Sequence, residues 1–224
     1  GVGGVMIKEV GGLKVALIPV AQDTSPEVSS TGSLKFLPTV ETAIAAAEKA
    51  IEDGADLVVG VVQTNMENDR RLIASHAFDV ILSGDDHSYA TAYDGVTAYV
   101  ETSVDGQYLT PVDLNVTIEE KDGEREISWF PTFRFIDTAS VVPDPESQAL
   151  ADQFAAKLDE TLGVEIGTAE TAIDSRRNVV RAEEATMGNL IADAMRDATG
   201  ADIAIMNGGG IRGDRTYDAG AKLT

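Results

Sequence analysis

The amino-acid sequence predicts an α/β fold, α+β overall, from three features of its pattern. Apolar runs of strand length alternate with amphipathic helical stretches over residues 13–82. A β-rich block follows over residues 96–135, and a second alternation starts near residue 147 and carries a glycine-rich turn at residues 207–213.

The elements follow in order. Residues 13–20 (LKVALIPV) read as a buried strand. Residues 38–51 set Val40, Ala43, Ile44, Ala47 and Ile51 at helical spacing, with Gly54 as the stop. Residues 56–62 predict a strand, 68–76 a helix and 79–82 another strand. Strand, helix, strand, helix, strand implies a largely parallel sheet whose functional loops leave the carboxyl ends of the strands. The loop holding Asn65 and the stretch SGDDHSY at residues 83–89 both leave such ends, so they can face one site.

Within residues 96–135 the segments TAYVETS, LTPVDLNVTIEE and REISWFPTFRFI read as strands, with Lys121-Asp122-Gly123-Glu124 as a hairpin turn. Trp129, Phe130, Phe133 and Phe135 lie on these strands and are expected in the core. Residues 137–146 (DTASVVPDPE), with two prolines and several acids, read as a linker. Beyond it come a helix at 147–162, a strand at 164–173, a helix at 186–198 stopped by Gly200, and a strand at 201–206. Met187, Leu190, Ile191, Ala194 and Met195 form an apolar face on the 186–198 helix and are expected to pack in the core.

Composition narrows the chemistry. The 224 residues include no cysteine, which excludes disulfides and thiolate metal sites; any metal must be held by His, Asp, Glu or Asn. A net charge of -21, from 17 basic and 38 acidic residues, argues against a nucleic-acid polymer or an anionic membrane as partner. An anionic small molecule would need a local arginine cluster, a metal or helix N-termini. No apolar run reaches the roughly 18 residues of a membrane span.

Two clusters carry chemistry. Asp85, Asp86 and His87 offer hard oxygen and borderline nitrogen donors at the end of a strand, and the same residues are ordinary turn composition, so a metal loop and a polar turn are both open. His76 reads as a helix cap or surface residue. In the second half, the strand at 201–206 delivers Asn207 into Gly208-Gly209-Gly210-Ile211-Arg212. Glycines there let backbone N–H groups approach a ligand, and the planar guanidinium of Arg212 suits phosphate oxygens.

The string from Arg181 through EEATMGNLIADAMRDATGADIAIMNGGGIRG, with its GNL, ADAMR and NGGGIR motifs, resembles the C-terminal domain of the 5'-nucleotidase and UDP-sugar hydrolase family. Residues 10–140 resemble the second half of that family's metallophosphoesterase domain. The resemblance implies domains at 1–136 (second half of the metallophosphoesterase α/β sandwich) and 147–224 (start of the C-terminal substrate-binding domain), joined by a linker and hinge at 137–146. It implies metal-dependent hydrolysis of nucleotide phosphate esters by a parent protein.

By this resemblance Arg181 and Arg212 hold the substrate's phosphate and ribose, Asn207 contacts the base, and Gly208 and Gly209 belong to the same substrate-binding turn. Asn65, Asp85 and His87 stand where the family places metal ligands. The family's Thr-His-(Met/Leu) reads Thr64-Asn65-Met66 here, and its Gly-His-x-His or Gly-His-Ser-Gln reads Gly84-Asp85-Asp86-His87. Two imidazoles are thus replaced by oxygens, which either favours a harder ion among Mn, Zn, Mg and Ca or reduces the site to one ion or none.

The family's remaining metal motifs and its catalytic histidine would fall before residue 1, and its base-stacking aromatic pair after residue 224. The chain therefore reads as an internal fragment with no catalytic residue of its own, expected to be inactive alone. The partner implied is a nucleotide or nucleotide sugar, and the location implied is extracytoplasmic, secreted or at the cell surface. A nucleotide-binding protein with a degenerate metal site, and a 2',3'-cyclic nucleotide phosphodiesterase, are the alternatives.

Overall fold

A computed structural model describes residues 4–224 and divides into two compact units, with the boundary in the chain between Val142 and Pro143. The first contains β1 (Met6–Val10), β2 (Leu13–Ala21), the short helix α1 (Ser25–Val28), α2 (Thr39–Glu52), β3 (Leu57–Thr64), α3 (Met66–Ser75), β4 (Val80–Asp85), β5 (Tyr89–Tyr93) and β6 (Ala98–Thr102). It continues with β7 (Tyr108–Leu109), β8 (Val112–Lys121), β9 (Glu124–Phe133) and β10 (Ile136–Asp137).

Six strands form one sheet in the order β1-β2-β3-β4-β6-β5. The neighbours β2, β3, β4 and β6 run parallel, and antiparallel β1 and β5 close the edges. The parallel centre follows from the helical crossovers between β2 and β3 and between β3 and β4. Tyr89–Tyr93 and Met6–Val10 are strands that the sequence pattern did not reveal, since both are exposed edges without a continuous apolar run.

Helices α2 and α3 cover one face of this sheet. Val40, Ala43, Ala47 and Ala50 of α2 are buried against Ala16, Ile18, Val58 and Val62. The apolar stripe therefore runs through Ala50, and Ile51, expected on it, is exposed. Alanines allow the helix axis to lie close to the strands. Leu72 and Phe78 fill the space beneath α3, each worth about 1.5–3 kcal/mol by transfer from water. Phe78 packs over Gly60, where a Cβ would sit 3.1 Å from its ring.

The hairpin β8–β9 turns through Asp122 and Gly123, both at positive φ, as the Asp-Gly pair requires in a tight two-residue turn. Trp129 and Phe133 are half-buried on one side of β9. Phe130, on the other, is 61% exposed, and Phe135 is exposed too, so the expected aromatic core is split by the period-2 alternation of the strand. Trp129 donates its Nε1–H to Asp79 at 3.2 Å.

The second unit contains α4 (Pro145–Leu162), β11 (Gly167–Thr168), β12 (Ile173–Asp174), α5 (Arg177–Val180), α6 (Thr186–Thr199), β13 (Thr216–Tyr217) and β14 (Lys222–Leu223). Asp144 caps α4 by accepting from the Ser147 N–H at 2.8 Å, and Pro145 opens its first turn. The strand expected over residues 164–173 is reduced to two short pairings, β11 with β14 and β12 with β13. No strand forms at residues 201–206: Ile203 and Ile205 are 75% and 87% exposed, and an extended segment with no neighbour offers its backbone no ladder. The apolar face of α6 packs only in part. Met187 and Ile191 meet a small core of Val180, Ala185 and Ile211, whereas Leu190 and Met195 are exposed.

Candidate functional site

In the second unit, a cavity of about 560 Å³ is lined by Val180, Arg181, Asn207, Gly208, Gly209 and Arg212. All five residues named from the sequence as substrate-binding line it. Ser175 brings its two walls together. Fully buried, it donates its Oγ–H to the Arg215 carbonyl at 2.7 Å, and its backbone pairs with Arg215 and Asp214, fastening the start of α5 to the chain after Arg212. The Arg177 N–H donates to the Asp214 carboxylate at 2.8 Å in the same junction.

Residues Gly208–Gly210 form one turn of 3-10 helix. Asn207 caps it, its side-chain oxygen accepting from the Gly209 N–H at 3.0 Å, which leaves the Asn207 Nδ2 amide without a protein acceptor among the described residues. Gly208 passes so close to the Val180 carbonyl that a Cβ there would lie 2.2 Å from the oxygen. Arg212 donates from Nε to the Gly209 carbonyl at 3.1 Å, which orients the guanidinium and leaves its two terminal amino groups available. Neither Arg181 nor Arg212 has a carboxylate partner among the described residues, although acids outnumber bases 38 to 17.

The Arg177 guanidinium, unlike its backbone N–H, has no carboxylate partner among the described residues either, and Arg177 opens α5, one helical turn before its C-cap Arg181. Its i, i+4 spacing was visible in the sequence; the turn of helix that gives the spacing meaning was not.

The first unit holds the other candidate cluster. Thr64 and Asp85 pair in register at the ends of β3 and β4, so Asn65 and the loop Gly84–His87, whose first two residues close β4, lie side by side where the chain leaves the sheet. The Asp86 carboxylate accepts from the Met66 N–H, joining the two turns directly. Asn65 is the N-cap of α3, its side-chain oxygen accepting from the Asn68 N–H at 3.0 Å. Asp85 accepts from the side-chain amides of Gln22 and Gln63, one on each carboxylate oxygen. His87 is exposed, and its imidazole has no partner among the described residues. Asp85 and His87 both adopt positive φ, 118° and 58°.

As donors, one free imidazole, a carboxylate with remaining lone pairs and an amide oxygen suit part of the shell of a hard divalent ion. Among the described residues no three His, Asp or Glu side chains are grouped to hold an ion by themselves.

Below this loop, Asp69 of α3 is fully buried. Its carboxylate accepts from the hydroxyls of Thr64, of Ser83 at 2.6 Å and of Tyr99 at 2.9 Å. Burial pushes the Asp69 carboxyl above its ordinary 3.8, while the hydroxyls of Ser83, Thr64 and Tyr99 pull it back. Burial, and then the neighbouring Asp69, drive the Tyr99 phenol upward. His76 stands away from this cluster, as the left-handed C-cap of α3 with its ring 2.9 Å from Asp94.

Comparison with known proteins places the chain among relatives. Residues 165–224 match the family model of the 5'-nucleotidase C-terminal domain. The chain is 30% identical over 92% of its length to the trifunctional nucleotide phosphoesterase protein YfkN of Bacillus subtilis, of which it covers 15%. It is 23% identical over 94% of its length to the cell wall protein Lmo0130 of Listeria monocytogenes, covering 31% of that protein. Its fold is similar to that of a 5'-nucleotidase precursor from Thermus thermophilus, with a TM-score of 0.67 and 21% identity over 98% of this chain and 47% of that one. The chain thus spans less than half the length of each of these proteins. With its NGGGIR turn inside the matched domain, residues 165–224 of the chain belong to the 5'-nucleotidase C-terminal domain family.

Proposed function

We propose that this chain binds a nucleotide or nucleotide sugar in the cavity between α5 and the Gly208–Gly210 turn, as part of a metal-dependent hydrolase of nucleotide phosphate esters. The observation that carries the reading is the convergence of Arg181 and Arg212, both without carboxylate partners among the described residues, on one cavity with Asn207 and two glycine backbones. The guanidiniums meet phosphate and ribose oxygens, and Asn207 offers its Nδ2 amide to the base. The glycines let the ligand approach the backbone.

A divalent ion would be held in the first unit with the help of Asp85, His87 and the Asn65 carbonyl, and would supply Lewis acidity toward a phosphoryl oxygen. This chain's own contribution is to bind and orient the nucleotide and to offer those donors. The 224-residue chain by itself releases no phosphate on this reading, because among the described residues its His, Asp and Glu donors do not group by threes. The likeness to a cell wall protein supports an extracytoplasmic or cell-surface place for the parent protein.

A second reading, nucleotide binding with a degenerate metal site, is favoured by the Asp85 carboxylate, both of whose oxygens already serve glutamine amides.

Calorimetric titration of the chain with AMP and with UDP-glucose tests the proposal. Arg212→Ala is expected to weaken binding roughly ten- to a hundredfold, from the loss of charged hydrogen bonds worth about 1.5–3 kcal/mol. Equal affinity in wild type and variant would refute the site. Added Mn separates the two readings: phosphate release by a longer form of the protein favours hydrolysis, and binding without release favours the degenerate site.

A further inference from the structure

A line of three side chains runs beneath the Gly84–His87 loop and fastens it on both flanks. Asp69 and Glu101 are 0% and 1% exposed, and the Tyr99 hydroxyl stands between them, 2.9 Å from Asp69 Oδ2 and 3.2 Å from Glu101 Oε2. At one end Asp69 accepts from Ser83, the residue before the loop, at 2.6 Å. At the other, Glu101 Oε1 accepts from the backbone N–H of Ser88, the residue after it, at 3.0 Å. Asp69 also accepts from Thr64, which precedes Asn65. One connected group thus holds the ends of both candidate turns.

Two features make this more than a fastening of helix to sheet. Buried carboxylates are costly, and well-packed apolar residues at positions such as 69 and 101 are often neutral or better for stability. In addition, the loop between the anchors contains two non-glycine residues at positive φ, Asp85 and His87. Such backbone costs about 1–3 kcal/mol per residue and persists where the surroundings over-determine it.

We infer that Asp69, Tyr99 and Glu101 are positioning residues that hold the Gly84–His87 loop in the conformation that presents Asp85 and His87 to a divalent ion. The ion part rests on the metal reading under Proposed function; the hold on the loop does not. None of the three is assigned a place in the ion's shell, and they act through Ser83, Ser88 and Thr64.

The test uses the 224-residue chain with Tyr99→Phe, Ser83→Ala, Glu101→Ala and Glu101→Gln. Amide hydrogen exchange over residues 84–88 is compared with exchange in β2 and β3, and Mn binding is measured by calorimetry. Tyr99→Phe, Ser83→Ala and Glu101→Ala are expected to speed loop exchange roughly tenfold while β2 and β3 stay protected, and to weaken Mn binding by a similar factor. Glu101→Gln retains an oxygen for the Ser88 N–H and is expected to restore both. Loop exchange that is unchanged, or that rises only in step with β2 and β3, overturns the inference. A wild-type chain that binds no Mn refutes the ion reading alone, and the exchange data then decide the hold on the loop. Ser83→Ala, at a half-buried site, keeps the test alive if Tyr99→Phe or Glu101→Ala fails to fold.

Discussion

Thr64 and Asp85 are partners across the carboxyl ends of β3 and β4, and this single register fixes Asn65 beside the loop Gly84–His87. Asn65 is engaged as a helix cap there. Asn65→Ala is expected to lower stability by about 1 kcal/mol through the lost cap, whereas Asn65→Asp keeps it, because a carboxylate accepts the same N–H and favours a helix N-terminus. Urea midpoints at constant slope check this pair.

The glycines of the NGGG turn are unequal. A Cβ on Gly208 meets the Val180 carbonyl at 2.2 Å, backbone against backbone, while one on Gly210 meets the flexible end of Met206 at 3.0 Å. Gly208→Ala is expected to destabilise the second unit by about 1–3 kcal/mol and to weaken nucleotide binding; Gly210→Ala costs less than about 1 kcal/mol. Thermal unfolding and an AMP titration of both variants distinguish them.

Arg212 sends one N–H to the Gly209 carbonyl and keeps a planar pair of amino groups for a ligand. Lysine preserves the charge and loses the fork, so Arg212→Lys is expected to recover less than half of the binding free energy lost in Arg212→Ala. Affinity for AMP measured in the two variants tests whether planar geometry or charge alone matters.

Asp94 accepts from the N–H groups of Thr97 and Val96 at 2.8 and 2.9 Å and lies against His76. The backbone donors of Thr97 and Val96, with His76 adding to them, hold its carboxyl below the ordinary 3.8. A carboxylate with a depressed folded pKa contributes stability above its unfolded value and loses it as pH falls through the folded one. Asp94→Asn is expected to flatten the rise of the melting temperature from acid to neutral pH, lowering it at neutral pH and changing little at pH below both the folded and unfolded pKa values. Melting curves from acid to neutral pH are the measurement.

The sheet was legible where burial made the sequence monotonous. LKVALIPV and the run through Val62 are central strands, and their apolar character leaves few other readings. The loop beneath Asn65 and Asp85 was legible for the same reason, since a parallel strand announces its own end. Exposed structure was not: Met6–Val10 and Tyr89–Tyr93 are edges held by pairing more than by composition. The segment ADIAIM failed in the opposite sense, because strand propensity without a neighbouring strand does not make a strand. Of the candidate sites, the residues lining the cavity of the second unit were readable by type. Ser175, Asp69 and Glu101 were not, because a lone Ser, Asp or Glu in a sequence gives no hint that it will be buried and fully hydrogen-bonded.

Arg181 and Arg212 lie in a chain whose net charge is -21. If the proposed nucleotide site holds, its polyanionic ligand is repelled at a distance and attracted only on arrival. Salt acts on these two stages in opposite directions, since screening reaches about 8 Å at physiological ionic strength and weakens the diffuse repulsion before it weakens a contact pair. Added salt from a low starting level should thus quicken capture even as it shortens residence, making the acidic surface a brake on arrival rate and the two guanidiniums the determinants of dwell time.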